Sequence, residues 1–258
     1  MSTINVVKIG GNVIDNSEAL QCFLRDFAAL EGPKILVHGG GKEATRMSAR
    51  LGIEANMIDG RRVTDRQTLD IVTMVYAGLI NKRITAMLQA LGCNAIGMTG
   101  ADGNMIPATR RSPEPIDYGF VGDIDPSNVN DELLSTLLGK GMVPVFCAIC
   151  HDGKGTLLNC NADSVASAVA LGACKAGEVR LTYCFEKAGV MRDINDESSV
   201  IPHIDESDFM KLKESGVIAA GMIPKIHNAL ESAKSGVKEV RICKSESLLS
   251  DSGTIITK

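Results

Sequence analysis

The chain has 258 residues, 45% of them hydrophobic and 22% charged, with 27 basic against 31 acidic side chains and a net charge of −4. That length accommodates one large domain or two lobes. A mildly acidic balance without a basic block excludes an electrostatic nucleic-acid binder, which needs clustered Lys or Arg. No basic leader, long apolar leader core or stretch approaching ~18 uninterrupted apolar residues occurs, so a cytoplasmic protein that engages neither membrane nor nucleic acid is expected. The eight cysteines are scattered singly, with Cys22, Cys93, Cys174, Cys184 and Cys243 in apolar runs, and are expected to be reduced core thiols.

In chain order, Asn5 to Ile9 reads as a strand that runs into glycines. Ser17 to Leu30 has helical spacing, and Lys34 to Val37 is a second strand running into glycines, which completes a βαβ unit. A long helix is expected over Asp65 to Leu91 and a strand over Ala95 to Met98. Tyr118 to Asp125 has the look of a hairpin or edge ribbon, and Val143 to Ile149 of a buried strand. Helices at Asp163 to Leu171, Glu206 to Ser215 and Pro224 to Ser235 then alternate with strands at Val179 to Tyr183, Val237 to Cys243 and Thr254 to Thr257. This alternation predicts an α/β fold with a mainly parallel sheet covered by helices. A lobe boundary is expected near Lys175 to Gly177, dividing residues 1–175 from 176–258.

Glycine gathers at strand ends. Lys8-Ile9-Gly10-Gly11 and His38-Gly39-Gly40-Gly41 each link a strand to a helix, where bare N–H groups and a helix N-terminus make an anion site. Neighbouring parallel strands would aim both loops into one crevice. Asn159-Cys160-Asn161-Ala162-Asp163 opens an apolar helix with more polar side chains than capping needs. In Gly221-Met222-Ile223-Pro224-Lys225 the lysine stands beside an electropositive helix N-terminus and calls for an anion to answer it. Walker A spacing, a Gly-x-Gly-x-x-Gly fingerprint, a Gly-x-Ser-x-Gly elbow and a His-x-x-x-His pair are all missing from the sequence. Cys147-Ala148-Ile149-Cys150-His151 matches haem-attachment spacing but lies in a buried strand, and no metal ligand set is expected.

The ordered set Lys8-Ile-Gly-Gly, His38-Gly-Gly-Gly, Gly60-Arg-Arg-Val-Thr64, Asn159-Cys-Asn-Ala-Asp163 and Gly221-Met-Ile-Pro-Lys225 resembles the amino acid kinase family, and its acylglutamate-phosphorylating branch in particular. The resemblance implies a three-layer αβα sandwich, with the N-terminal lobe holding an acylated glutamate and forming a homodimer, and the C-terminal lobe holding ATP. The implied reaction is ATP-dependent phosphorylation of the γ-carboxylate of N-acetyl-L-glutamate in arginine biosynthesis. N-succinyl-L-glutamate, carbamate and glutamate are the alternative acceptors. Carried over residue by residue, Lys8 and Lys225 would meet the transferring phosphoryl group and Asp163 would sit between them. Gly10, Gly11 and Gly40 would offer it N–H groups, while Gly40 and Gly41 also contact the acylglutamate. Arg62 would clamp the α-carboxylate, and Asn159 would bind the same substrate. Thr182, Tyr183, Gly189, Val217 and Ala219 would contact the nucleotide, with Mg²⁺ held mainly by the ATP phosphates. A γ-carboxylate, with an ordinary pKa of ~4.3, is already ionised at neutral pH and needs no general base, which suits a site without histidine.

Two segments depart from the family pattern. Thr182 to Val190 has Tyr183 where the family has an acidic residue, and adds residues before Gly189. Arg61 replaces an apolar residue at the acyl end, which is the reason for keeping the succinyl compound as an alternative. Because the first strand begins almost at Met1, the extra N-terminal helix of arginine-inhibited members is not expected, nor are feedback inhibition and a hexamer.

Overall fold

The computed structural model describes residues 3–193, 195–218 and 222–258. Eight strands form one sheet: β1 Ile4–Ile9, β2 Lys34–His38, β3 Ala95–Met98, β4 Val143–Cys147, β5 Val179–Phe185, β6 His203–Ile204, β7 Glu239–Lys244 and β8 Thr254–Ile256. Their order is β6-β8-β7-β5-β1-β2-β4-β3, and every neighbouring pair is parallel except β7 with β8. Central strands of a parallel sheet are covered on both faces and therefore read as unbroken apolar runs; all five residues of β2 and of β4 are buried.

The two-residue period of the strands divides the core between the faces. Val6, Ile35, Val37 and Leu181 pack with Val165, Val169, Ile226 and Leu230 of helices Ala162–Ala173 and Ile223–Lys234. Val7, Ile9, Leu36 and Val145 pack on the other side with Phe23, Phe27, Val72, Ile84 and Leu88, from helix Ser17–Ala29 and the long helix Arg66–Ala90. The result is the three-layer α/β sandwich anticipated above. Asn16 caps Ser17–Ala29 by accepting from Glu18 N and Ala19 N at 3.0 and 3.1 Å, and Asp65 caps the long helix through Thr68 N at 2.8 Å.

Arg66–Ala90 is long and apolar enough to cross a bilayer by length and composition, and Leu69, Val72, Val75, Ile80, Ile84 and Leu88 along it are buried in the core. It contains a π-helical segment, Met74–Ile80, of the kind often found at functional sites. The expected strand Val143 to Ile149 breaks at Ala148. Ile149–His151 leaves the main sheet to pair antiparallel with Leu157–Asn159. Within Tyr118 to Asp125, Gly122–Ile124 pairs with Ala108–Arg110 as an edge ribbon. Helix Asp131–Gly139 was not anticipated, although Asn130 caps it through Leu133 N at 3.0 Å. The thiols are free, yet Cys22 is exposed and Cys174 half-buried, so those two are not core thiols. The turn at Lys175 to Gly177 leads into β5, which pairs directly with β1.

Candidate active site

In the β1–β5 register Lys8 stands opposite Tyr183, so Lys8, Tyr183 and Phe185 share the face covered by helix Ala162–Ala173. Asn161 caps that helix, its Oδ1 accepting from Asp163 N at 2.7 Å and Ser164 N at 3.4 Å. The Asp163 carboxylate is thereby left for Lys8, whose Nζ it meets at 2.7 Å, with the two side chains only 9% and 14% exposed. Lys225, in the first turn of Ile223–Lys234, places its Nζ 3.7 Å from the centroid of the Phe185 ring, while Lys8 Nζ is 5.1 Å from the same centroid. Burial pushes the Lys225 pKa down, against the attraction of Asp163 and Glu186 and with the repulsion of Lys8. Asp163 thus touches one of the two expected lysines directly, and the second rests on an aromatic face that sequence reasoning did not single out.

The glycine loops converge beside this pair. Gly10 precedes helix Gly11–Asp15 and Gly40 precedes helix Gly41–Arg50, both without a side-chain cap, so their first N–H groups stay open to an anion. A Cβ on Gly39 would lie 3.8 Å from Ala162 Cβ, which sets the second loop against the helix bearing Asp163. Lys42 Nζ donates to Asn12 Oδ1 and ties the loops together. A Cβ on Gly40 would fall 2.5 Å from Ile80 Cδ1 and 2.8 Å from Tyr76 Cδ1, so the π-helical segment approaches the loop as closely as only glycine permits. Behind it, fully buried His38 bonds through Nδ1 to Gly39 O at 2.8 Å and through Nε2 to Asn81 Nδ2 at 3.1 Å. The ring must then donate from Nδ1 and accept at Nε2, and desolvation lowers its pKa to about 4.

Arg61 and Arg62 lie on a two-stranded hairpin, Met57–Ile58 with Arg61–Arg62, whose alternation exposes Arg61 and buries Arg62. Arg62 Nη2 donates to Gly41 O at 3.0 Å and Thr45 Oγ1 at 2.7 Å. Its Nη1 is buried without a hydrogen-bond partner among the described residues. An unsatisfied buried donor on a cation costs free energy unless an acceptor arrives, and a carboxylate is the acceptor a guanidinium fork fits. Asn159 Nδ2 donates to Thr64 Oγ1 at 3.0 Å, and Thr64 Oγ1 to Arg62 O at 3.3 Å, which joins Asn159 to the arginine.

Lys187, Gly189, Met191, Val217 and Met222 line a cavity of about 480 Å³. Gly189 is pressed there against Thr254, whose Oγ1 would be 2.8 Å from an added Cβ. Thr182 and Tyr183 are buried and are not among the residues lining this cavity. The Tyr183 hydroxyl bonds to Ser167 Oγ at 2.8 Å, and burial drives its pKa upward. Ala219 and Gly221 lie outside the described residues. Cys147 ends β4 and packs into one core cluster, whereas Cys150 lies on the strand that has left the main sheet and packs into the other. Among the described residues no group of three His, Cys, Asp or Glu could hold a metal ion.

Residues 3–244 match the model of the amino acid kinase family. This chain belongs to the amino acid kinase family. Acetylglutamate kinase of Cytophaga hutchinsonii is 52% identical, over 100% of this chain and 98% of the relative. Acetylglutamate kinase of Bacteroides fragilis is 49% identical, over 99% of this chain and 97% of the relative. Among solved structures, the smu.665 protein of Streptococcus mutans UA159 superposes with a TM-score of 0.78 at 26% identity, covering 98% of both chains. In this fold the strand ends carry Lys8 and both glycine loops, and the first turn of helix Ile223–Lys234 carries Lys225. Phe185, Tyr76, Ile80 and His38 complete the surroundings. Of these only His38 had a sequence signal, its place before the glycines.

Proposed function

We propose that this chain transfers the γ-phosphoryl group of ATP to the γ-carboxylate of N-acetyl-L-glutamate, giving the acyl phosphate of arginine biosynthesis. The observation that carries the reading is the convergence of Lys8, Asp163 and Lys225 at the glycine-rich strand ends, in a chain about half identical to acetylglutamate kinases along its whole length. It is a kinase, a phosphotransferase with a carboxyl acceptor.

The γ-carboxylate attacks as the anion, so no proton has to be removed. What the chain must supply is alignment and charge on the equatorial oxygens of the phosphoryl group. Lys8 and Lys225 provide the cations, and the open N–H groups at Gly10, Gly11 and Gly40 provide donors. Arg62 offers its unpartnered Nη1 to the α-carboxylate, with Gly41 and Asn159 beside it. The cavity at Gly189 and Val217 takes the nucleotide. Mg²⁺, when bound, would be held mainly by the ATP phosphates and would supply charge neutralisation there. On this reading residues 1–175 bind the acylglutamate and dimerise, residues 176–258 bind ATP, and the enzyme works as a homodimer in the cytoplasm. Arg61 is exposed on the strand face opposite Arg62, so nothing in its placement favours a succinyl group over acetyl.

The test is coupled ADP release with acetylglutamate, succinylglutamate, glutamate and carbamate in parallel. Acetylglutamate should give the highest kcat/KM, and a higher value for any of the other three overturns the proposal.

A further inference from the structure

We propose that Phe185 is a positioning residue whose ring face holds the ammonium groups of Lys8 and Lys225 side by side for the phosphoryl group. The proposal rests on the reading of those two lysines given above.

Two ammonium groups aimed at one anion repel each other before the anion arrives, and the repulsion grows as water is excluded. Asp163 meets Lys8 at 2.7 Å. No carboxylate among the described residues lies within 4.0 Å of Lys225 Nζ; its close neighbour is the Phe185 ring, 3.7 Å away at the centroid and itself 8% exposed. The negative face of an aromatic quadrupole attracts a cation most strongly where both are desolvated. Lys8 Nζ, 5.1 Å from the same centroid, is within range as well.

The ring is held from behind. It lies 6.3 Å from the Tyr183 ring at an interplanar angle of 8°. Tyr183 is bonded to Ser167 at 2.8 Å, and Ser232 donates to Ser167 at 3.0 Å. Ser167 belongs to the helix carrying Asp163, Ser232 to the helix carrying Lys225, and Tyr183 to β5. This chain of contacts joins the three elements that bear Phe185, Asp163 and Lys225. A carboxylate in contact with Lys225 would neutralise the cluster, whereas the ring compensates its ammonium without a formal charge, and Glu186 attracts it only from beyond ion-pair distance.

The test replaces Phe185 by phenylalanines carrying one, two and three ring fluorines, which withdraw charge from the face at nearly constant volume, and adds Phe185→Leu as the ring-free form. With ADP release as the readout, kcat should fall stepwise with fluorination, by about tenfold at three fluorines, a fall within the range of one desolvated cation–π contact. KM for acetylglutamate should stay within about twofold. A kcat that is flat across the fluorinated series overturns the proposal even if Phe185→Leu fails to fold. Lys8→Ala in the same assay separates the two layers. If it abolishes turnover while the fluorinated series is flat, only the role of Phe185 falls; if it leaves turnover intact, the reading of the lysines falls.

Discussion

Replacing Gly40 by alanine puts a methyl group where the π-helical segment already touches the loop. The new Cβ would lie 2.5 Å from Ile80 Cδ1 and 2.8 and 3.0 Å from two atoms of the Tyr76 ring. Carbon atoms settle at about 3.5–4.0 Å, so roughly 1 Å must be found. Ile80 is 2% exposed and Tyr76 6% exposed. The tip of Ile80 can change rotamer, but the Tyr76 ring has packed neighbours on every side, and the loop must yield. Overpacking of this kind costs about 1–3 kcal/mol, or a Tm lowered by roughly 2–12 °C in a chain of this size. A loop displaced by ~1 Å also loses its aim, with a fall in kcat/KM of up to ~10²-fold. Thermal unfolding and ADP release on Gly40→Ala measure both effects. Ile80→Val, which removes the nearest clashing atom, should restore part of each loss in the double variant. Gly11→Ala, whose added Cβ would meet Asp15 Oδ2 at an ordinary 3.9 Å, is the comparison that should stay folded at the wild-type Tm. Wild-type Tm and kcat/KM in Gly40→Ala would refute the close-approach argument.

Arg62→Lys keeps the charge but cannot keep both the Gly41–Thr45 contacts and a free donor; KM for acetylglutamate should rise by ~10–100-fold, the scale of one charge-assisted hydrogen bond, while KM for ATP stays within about twofold. Equal rises in both would count against the clamp. For His38, the folded pKa of about 4 lies below its ordinary 6.5, so the unfolded chain takes the proton first. Stability from the neutral ring is therefore complete above pH ~6.5 and drains away as pH falls towards 4, at up to ~1.4 kcal/mol per pH unit. Urea unfolding of wild type and His38→Gln should show their stability difference shrinking across that window, and a difference independent of pH would contradict the tautomer assignment. Lys8→Ala and Lys225→Ala should each keep the fold but lower kcat by ~10²-fold or more, since each removes charge needed mainly in the transition state.

The parts of the fold set by local pattern were readable. β1, β2 and β3 fall within a residue of their expected bounds because apolar runs of strand length end in glycine or turn residues. The break at Ala148 was not, because residues on both sides of it are buried and the apolar run is continuous through the change of sheet. The π-helical segment Met74–Ile80 is equally silent, since its shift in hydrogen bonding leaves no mark in an apolar helix. Helix Asp131–Gly139 does carry signals, the cap Asn130 and the first-turn acids Asp131 and Glu132. At the site, Lys8, Asp163 and Arg62 were visible through motifs. Phe185 was not, because its contacts with Lys8 and Lys225 are made across the fold and no spacing encodes them. The altered Thr182 to Val190 segment was noticed only as a departure; the structure gives Tyr183 a place in the packing behind the lysines.

The central claim is that phosphate is transferred to a carboxylate oxygen of acetylglutamate. Hydroxylamine traps the acyl phosphate formed in such a transfer as a hydroxamate, so the direct measurement is hydroxamate produced per ADP released with acetylglutamate and ATP. The account predicts a ratio near one for the wild type and both products formed ~10²-fold or more slowly by Lys8→Ala. ADP released without hydroxamate, or hydroxamate formed equally well by Lys8→Ala, would contradict it.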